Sequence, residues 1–128
     1  MVDLHIGDII RFNRTFTQED VAMFTILSKD EGKHHTTPDE LGRSIVQGLL
    51  TATLPTKVGG DYNVLARTMK FEFYRPVFTG DTISCEVTIE ELEEKKNHRF
   101  LIMATFSCFN QQEKEVLSGY FAGVILTD

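Results

Sequence analysis

The sequence predicts an α+β domain in which an antiparallel sheet lies against one central, largely buried helix. Three observations predict it. Helix start and stop signals are confined to the first half of the chain. Beyond residue 61 the chain is nearly all strand, with the period of two a half-buried strand requires. Strands and helices do not alternate as βαβ units, which argues against a doubly wound parallel sheet. A chain of 128 residues is the size of one domain with one real core, so residues 1–128 read as a single unit.

The elements follow in order. Residues 9–16 form a strand with Ile10, Phe12 and Phe16 on one face. Thr17 then offers an N-cap, and Asp20 three places on is a shortened capping-box acid. The helix that follows carries a stripe of Val21, Phe24, Leu27 and Ser28, and stops near Lys29. Residues 30–36 are polar and contain Gly32, so they read as a loop. Thr37-Pro38-Asp39-Glu40 is a second helix start, cut short by Gly42. Residues 48–54 open the buried helix, apolar with small residues interspersed; Pro55 kinks or ends it, and Gly59-Gly60-Asp61 stops it.

Phe71 and Phe73, alternating with Glu72 and Tyr74, begin the strand-rich half. Residues 82–90 form the clearest strand, with Ile83, Cys85, Val87 and Ile89 on one face. The acidic and basic run at residues 90–96 reads as a solvated hairpin turn. Residues 98–110 carry Phe100, Ile102, Ala104, Phe106 and Cys108 on one face. Residues 116–126 are apolar on both faces and need a cover on each: the buried helix on one side, a second subunit on the other.

Composition narrows the function classes. A net charge of -6 argues against general nucleic-acid binding, which needs a basic face. No run approaches the roughly 20 apolar residues of a membrane span. The first residues show no basic region followed by an apolar stretch, so no signal peptide is read there. Cys85 and Cys108 read as reduced core thiols, which points to the cytoplasm. His34, His35 and Asp39 lack a helix-borne spacing that would converge them on an ion, and no metal or other cofactor is expected.

Three stretches carry a resemblance. Residues 28–35 place an acid, Asp30, five positions before His35, with Gly32 and Lys33 between. Residues 42–50 lead through Gln47 into Gly48 at the start of the buried helix. Residues 69–82 run through Phe71, Phe73, Pro76-Val77 and Gly80-Asp81-Thr82. Together they resemble the MaoC-like family of (R)-specific enoyl-CoA hydratases and dehydratases, over most of the chain from Gly7 onward. The family usually has Asn and Pro where this chain has Gly32 and Lys33, commonly Gly where it has Lys29, and His where it has Gln47.

That resemblance implies the hotdog fold, a curved antiparallel sheet around a central buried helix. It implies reversible hydration of a trans-2-enoyl-CoA to the (3R)-hydroxyacyl-CoA. Adding water to an unsaturated thioester requires an activated water, a proton for Cα and stabilisation of the thioester oxygen. By the resemblance, the catalytic pair Asp30 and His35 hold the water and share the acid and base roles. Gly48 stands in the family position for the backbone N–H that binds the thioester oxygen. Leu49, Thr53 and Phe71 are the expected acyl-pocket residues. The expected substrate is an acyl-CoA or acyl-carrier thioester, and the expected assembly is a homodimer or higher homo-oligomer. A non-catalytic acyl-CoA binding protein on the same fold is the alternative, motivated by Gly32, Lys33 and Gln47. A hotdog thioesterase has less support, because residues 49–54 contain no acid.

Overall fold

The computed structural model describes residues 2–127. Five antiparallel strands form one sheet in the order β1-β3-β4-β5-β2. They are β1 (Ile9–Thr15), β2 (Val64–Phe73), β3 (Thr82–Lys95), β4 (Arg99–Phe109) and β5 (Glu115–Leu126). Between β1 and β2 lie α1 (Gln18–Ser28), α2 (Lys33–Thr36), α3 (Gly48–Thr51) and α4 (Thr53–Asp61). No helix among the described residues is long and apolar enough to cross a membrane.

The core forms where the alternation is strictest. Ile83, Cys85, Val87 and Ile89 on β3 are fully buried beside Ile102, Ala104, Phe106 and Cys108 on β4. Leu54 and Val58 of α4 belong to the same cluster, so α4 is the helix the sheet wraps. Cys85 and Cys108 stand opposite each other across β3 and β4, both as free thiols. The neighbouring Cys85 thiol, and then burial, push the Cys108 thiol upward, so it stays protonated.

Four expectations need correction. The buried helix is two pieces: α3 ends at Thr51 and α4 begins at Thr53. Pro55 is thereby the third residue of α4, in the first turn, where a missing N–H matters least. Gly59 and Gly60 sit inside the last turn of α4, and Tyr62 caps it.

No helix starts at Thr37. Asp39 uses its carboxylate to accept from the N–H groups of Leu41 and Arg43, and Gly42 closes the turn at φ +77 with its N–H on the Asp39 carbonyl. A short acid that satisfies nearby backbone in this way competes with helix.

The charged run is strand, not turn. β3 continues to Lys95 past a register shift between Ile89 and Glu91, and the hairpin turns at Asn97 and His98, both at positive φ. The side chains after Glu90 are largely solvated, which a strand beyond the covered part of a sheet tolerates.

Finally, β5 is not left half-covered. It runs between β4 and β2, and Val116, Leu117, Phe121, Val124 and Ile125 are buried within the one chain. The edge strand β2 does leave apolar side chains exposed, at Leu65, Met69 and Phe73. Gly119 and Gly123 let β2 approach so closely: a Cβ at Gly123 would lie 2.2 Å from the Leu65 carbonyl oxygen.

Candidate active site

Asp30 is delivered by the end of α1. The Thr17 hydroxyl accepts from the Asp20 N–H and the Asp20 carboxylate accepts from the Thr17 N–H, a full capping box. Lys29 ends the helix at φ 64, with its N–H on the Thr25 carbonyl at 2.9 Å. That left-handed residue turns the chain sharply, and the Asp30 N–H then donates to Ser28 Oγ at 3.0 Å. The expected apolar stripe on α1 is only partly covered: Val21 is buried, but Leu27 is 79% exposed. Phe24 is half-buried, and a shallow groove runs between Met23, Phe24 and Leu27 of α1 and Leu50 of α3.

His35 rides on α2, in what the sequence suggested was an irregular loop. The Gly32 carbonyl accepts from the N–H groups of His35 (2.9 Å) and Thr36 (3.2 Å), which winds a single helical turn. A side chain at Gly32 would require the exposed His34 ring to move. A Cβ would lie 2.9 Å from His34 Cε1, under the tilted His34 and His35 rings whose centroids are 3.8 Å apart.

This brings Asp30 Oδ2 to 3.5 Å from His35 Nε2. The imidazole is buried and the carboxylate is half-exposed, with its other oxygen accepting from the Gly32 N–H at 3.3 Å. His35 Nδ1 lies 2.6 Å from the Ile45 carbonyl oxygen. A carbonyl only accepts, so Nδ1 carries the hydrogen. In the neutral ring Nε2 is then a lone pair, aimed at a carboxylate. Two acceptors facing each other require a proton or a water's hydrogens between them.

The segment that supplies Ile45 is pinned to the residue 76–82 stretch. The Val46 N–H donates to the Val77 carbonyl at 2.7 Å, and the Ser44 carbonyl accepts from the Thr79 N–H at 2.9 Å. Gly80 at φ +94 and the Asp81 carboxylate, which accepts from the Phe78 N–H, shape that stretch. Two residues past Val46, Gly48 opens α3 with an N–H that has no intrahelical acceptor.

A cleft of about 360 Å³ joins these parts, lined by His35, Ile45, Gly48, Phe73 and Val77 among others. That volume is within the usual range for a small-ligand site. Asp30 is not among the residues that line it and meets the lining through His35. The ring of Phe73 covers Gly48, 3.1 Å from where a Cβ would stand.

The expected acyl-pocket residues are not in this lining. Leu49 is 63% exposed, because α3 turns it outward. Thr53 donates to the Leu50 carbonyl and accepts from Arg14. Phe71 packs into the core against Phe106. Phe73, Val46, Val77 and Val116 line the cleft instead. Phe73 alternates with Phe71 in the sequence and could have been found by that; the Ile45 carbonyl leaves no side-chain signal at all.

Comparison with known proteins now decides the family. The model of the FAS1-like dehydratase domain region matches residues 38–118. The (R)-specific enoyl-CoA hydratase of Aeromonas caviae is 31% identical over 104 residues, covering 73% of this chain and 76% of that protein. The chain belongs to the MaoC-like hydratase/dehydratase family. A second member, the mitochondrial 3-hydroxyacyl-[acyl-carrier-protein] dehydratase of Arabidopsis thaliana, is 25% identical, covering 95% of this chain and 78% of that protein. The solved (R)-hydratase of A. caviae involved in PHA biosynthesis superposes with a TM-score of 0.83 at 28% identity, covering 98% of each chain. The MaoC-like fold is therefore the hotdog expected from the sequence, and the relatives are hydro-lyases.

Proposed function

We propose that this MaoC-like protein hydrates trans-2-enoyl thioesters to (3R)-hydroxyacyl thioesters, and dehydrates them in reverse, with Asp30 and His35 as the catalytic pair. The observation that carries the reading is the 3.5 Å approach of Asp30 Oδ2 to Nε2 of His35, beside the cleft that holds Gly48. A water against both acceptors donates a hydrogen to each. Its oxygen then bonds to the β-carbon as one proton passes to the pair, and the pair returns a proton to the α-carbon. The π electrons are held meanwhile on the thioester oxygen, which accepts from the Gly48 N–H. The apolar walls at Val46, Val77 and Val116 take the first carbons of the acyl chain.

The relatives' substrates support a CoA or acyl-carrier thioester. A second copy of the chain covers the exposed Leu65, Met69 and Phe73 on the edge of β2, making the assembly a homodimer.

The test is hydration of crotonyl-CoA and a longer enoyl-CoA by the wild type, Asp30→Asn and His35→Ala. Each substitution lowers turnover by about 10²–10⁴-fold, the range for removing one acid–base group. Wild-type turnover no higher than either variant at every chain length sinks the reading. Undiminished binding of a saturated acyl-CoA in that case favours the non-catalytic alternative.

A further inference from the structure

Asp30 and Gly48 sit on separate pieces of chain, and the side chain of Gln47 is where those pieces are fastened. Gln47 is 1% exposed. Its Nε2 donates to Thr25 Oγ1 at 2.8 Å and, more loosely, to the Val21 carbonyl at 3.5 Å. Both partners lie on α1. The Thr25 hydroxyl is already committed, because it donates to the Val21 carbonyl at 2.8 Å. Its oxygen can therefore only accept from Gln47, so the amide must turn its NH₂ toward α1. That leaves Oε1 facing the other way, buried and without a partner among the described residues.

An unpaired buried carbonyl is unfavourable, and an apolar side chain of similar size would avoid it. Stability alone does not account for Gln47. Position does. α1 buries only Val21, while Met23, Ile26 and Leu27 face out, so apolar packing holds it weakly. The strip at residues 45–48 meanwhile carries three separate references for the site. The Ile45 carbonyl orients His35, the Gln47 amide grips α1, and Gly48 lines the cleft.

We infer that Gln47 is a positioning residue for Asp30: its amide sets the end of α1, and so the carboxylate, at the reach of His35 and Gly48. This rests on the proposed hydratase reading. Gln47 does not line the cleft and touches no reacting atom.

The test uses Gln47→Leu, and Thr25→Val as a second route to the same break should the first variant misfold. With crotonyl-CoA, each lowers kcat about tenfold or more, as misplacement of a catalytic group does, and leaves KM within about twofold. The melting temperature moves by no more than about 4 °C. The double variant is no worse than the poorer single one, because both remove one contact. In an Asp30→Asn background, Gln47→Leu adds less than about a twofold loss, since the group it positions is already gone. An unchanged kcat in both single variants overturns the inference, and so does an equal loss with and without the Asp30 carboxylate.

A second readout does not need turnover. The imidazole ¹⁵N resonances of His35 should move in Gln47→Leu in the direction that Asp30→Asn moves them. If the wild type hydrates nothing, the hydratase reading falls. Gln47 is then judged on these resonances alone: a parallel movement upholds the inference, and wild-type positions overturn it.

Discussion

The sheet and the segment at residues 29–48 are built on different principles. In the sheet, one face of β3 and β4 is buried residue after alternate residue, and the ladder supplies the hydrogen bonds. Any single side chain there is one of many that specify the same register. In the segment, each turn hangs on one group. The left-handed Lys29, the Gly32 carbonyl, the Asp39 carboxylate and the Ile45 carbonyl each have a separate task. Redundancy makes the sheet a stable platform. The lack of it lets the segment hold an acid and an imidazole at one chosen distance.

The sharpest way to break the sheet is to take away its close approach. In Gly123→Ala the new Cβ meets backbone, the Leu65 carbonyl at 2.2 Å, which cannot swing aside. We expect a loss of about 3 kcal/mol or more in urea unfolding, at the upper end of overpacking effects. A variant within experimental error of wild type contradicts the stated geometry of β2 on β5.

The same substitution in the segment has a different outcome. A Cβ at Gly48 meets only the ring of Phe73, a half-exposed side chain that can give way. Gly48→Ala should therefore unfold like the wild type while crotonyl-CoA turnover falls about tenfold, as for an obstructed oxygen site. Smaller still is the effect of Lys29→Gly. Relief of the left-handed strain should stabilise the protein by about 1 kcal/mol in the same urea assay. No change at all means that α1 ends by another geometry.

The smallest effect is on Asp39. The Arg43 N–H and guanidinium and the Leu41 N–H hold its carboxyl below the ordinary value of 3.8. A depressed carboxyl contributes stability above its unfolded pKa and loses it as pH falls through the folded value. The thermal midpoint of the wild type should therefore fall a little more steeply than that of Asp39→Asn between about pH 4 and pH 2. Parallel curves remove Asp39 from the account of that turn.

These differences also explain what the sequence disclosed. Ile83, Cys85, Val87 and Ile89 were readable because burial follows their alternation. The outer half of β3 was not, because its charged residues answer to water and the register shift at Glu90 breaks the phase. Leu27 misled for a related reason: a helical stripe says which residues share a side, not whether anything covers it. At the site, the family resemblance, carried by residues 28–35 together with Gly48 and residues 69–82, brought Asp30 and His35 to notice. The turn that joins them depends on the Gly32 carbonyl, a main-chain group that has no letter in the sequence.

The Ile45 carbonyl has a practical consequence of the same kind. It decides which nitrogen of His35 keeps its hydrogen, yet it belongs to the main chain. Alanine scanning would pass over position 45 and report nothing, since Ala presents the same oxygen. A claim that His35 needs no orienting partner, if drawn from side-chain mutagenesis, would be an artefact of the method. Only a main-chain substitution is able to see it: an amide-to-ester replacement of the Ile45–Val46 bond weakens that acceptor, and it also removes the Val46 N–H that donates to the Val77 carbonyl.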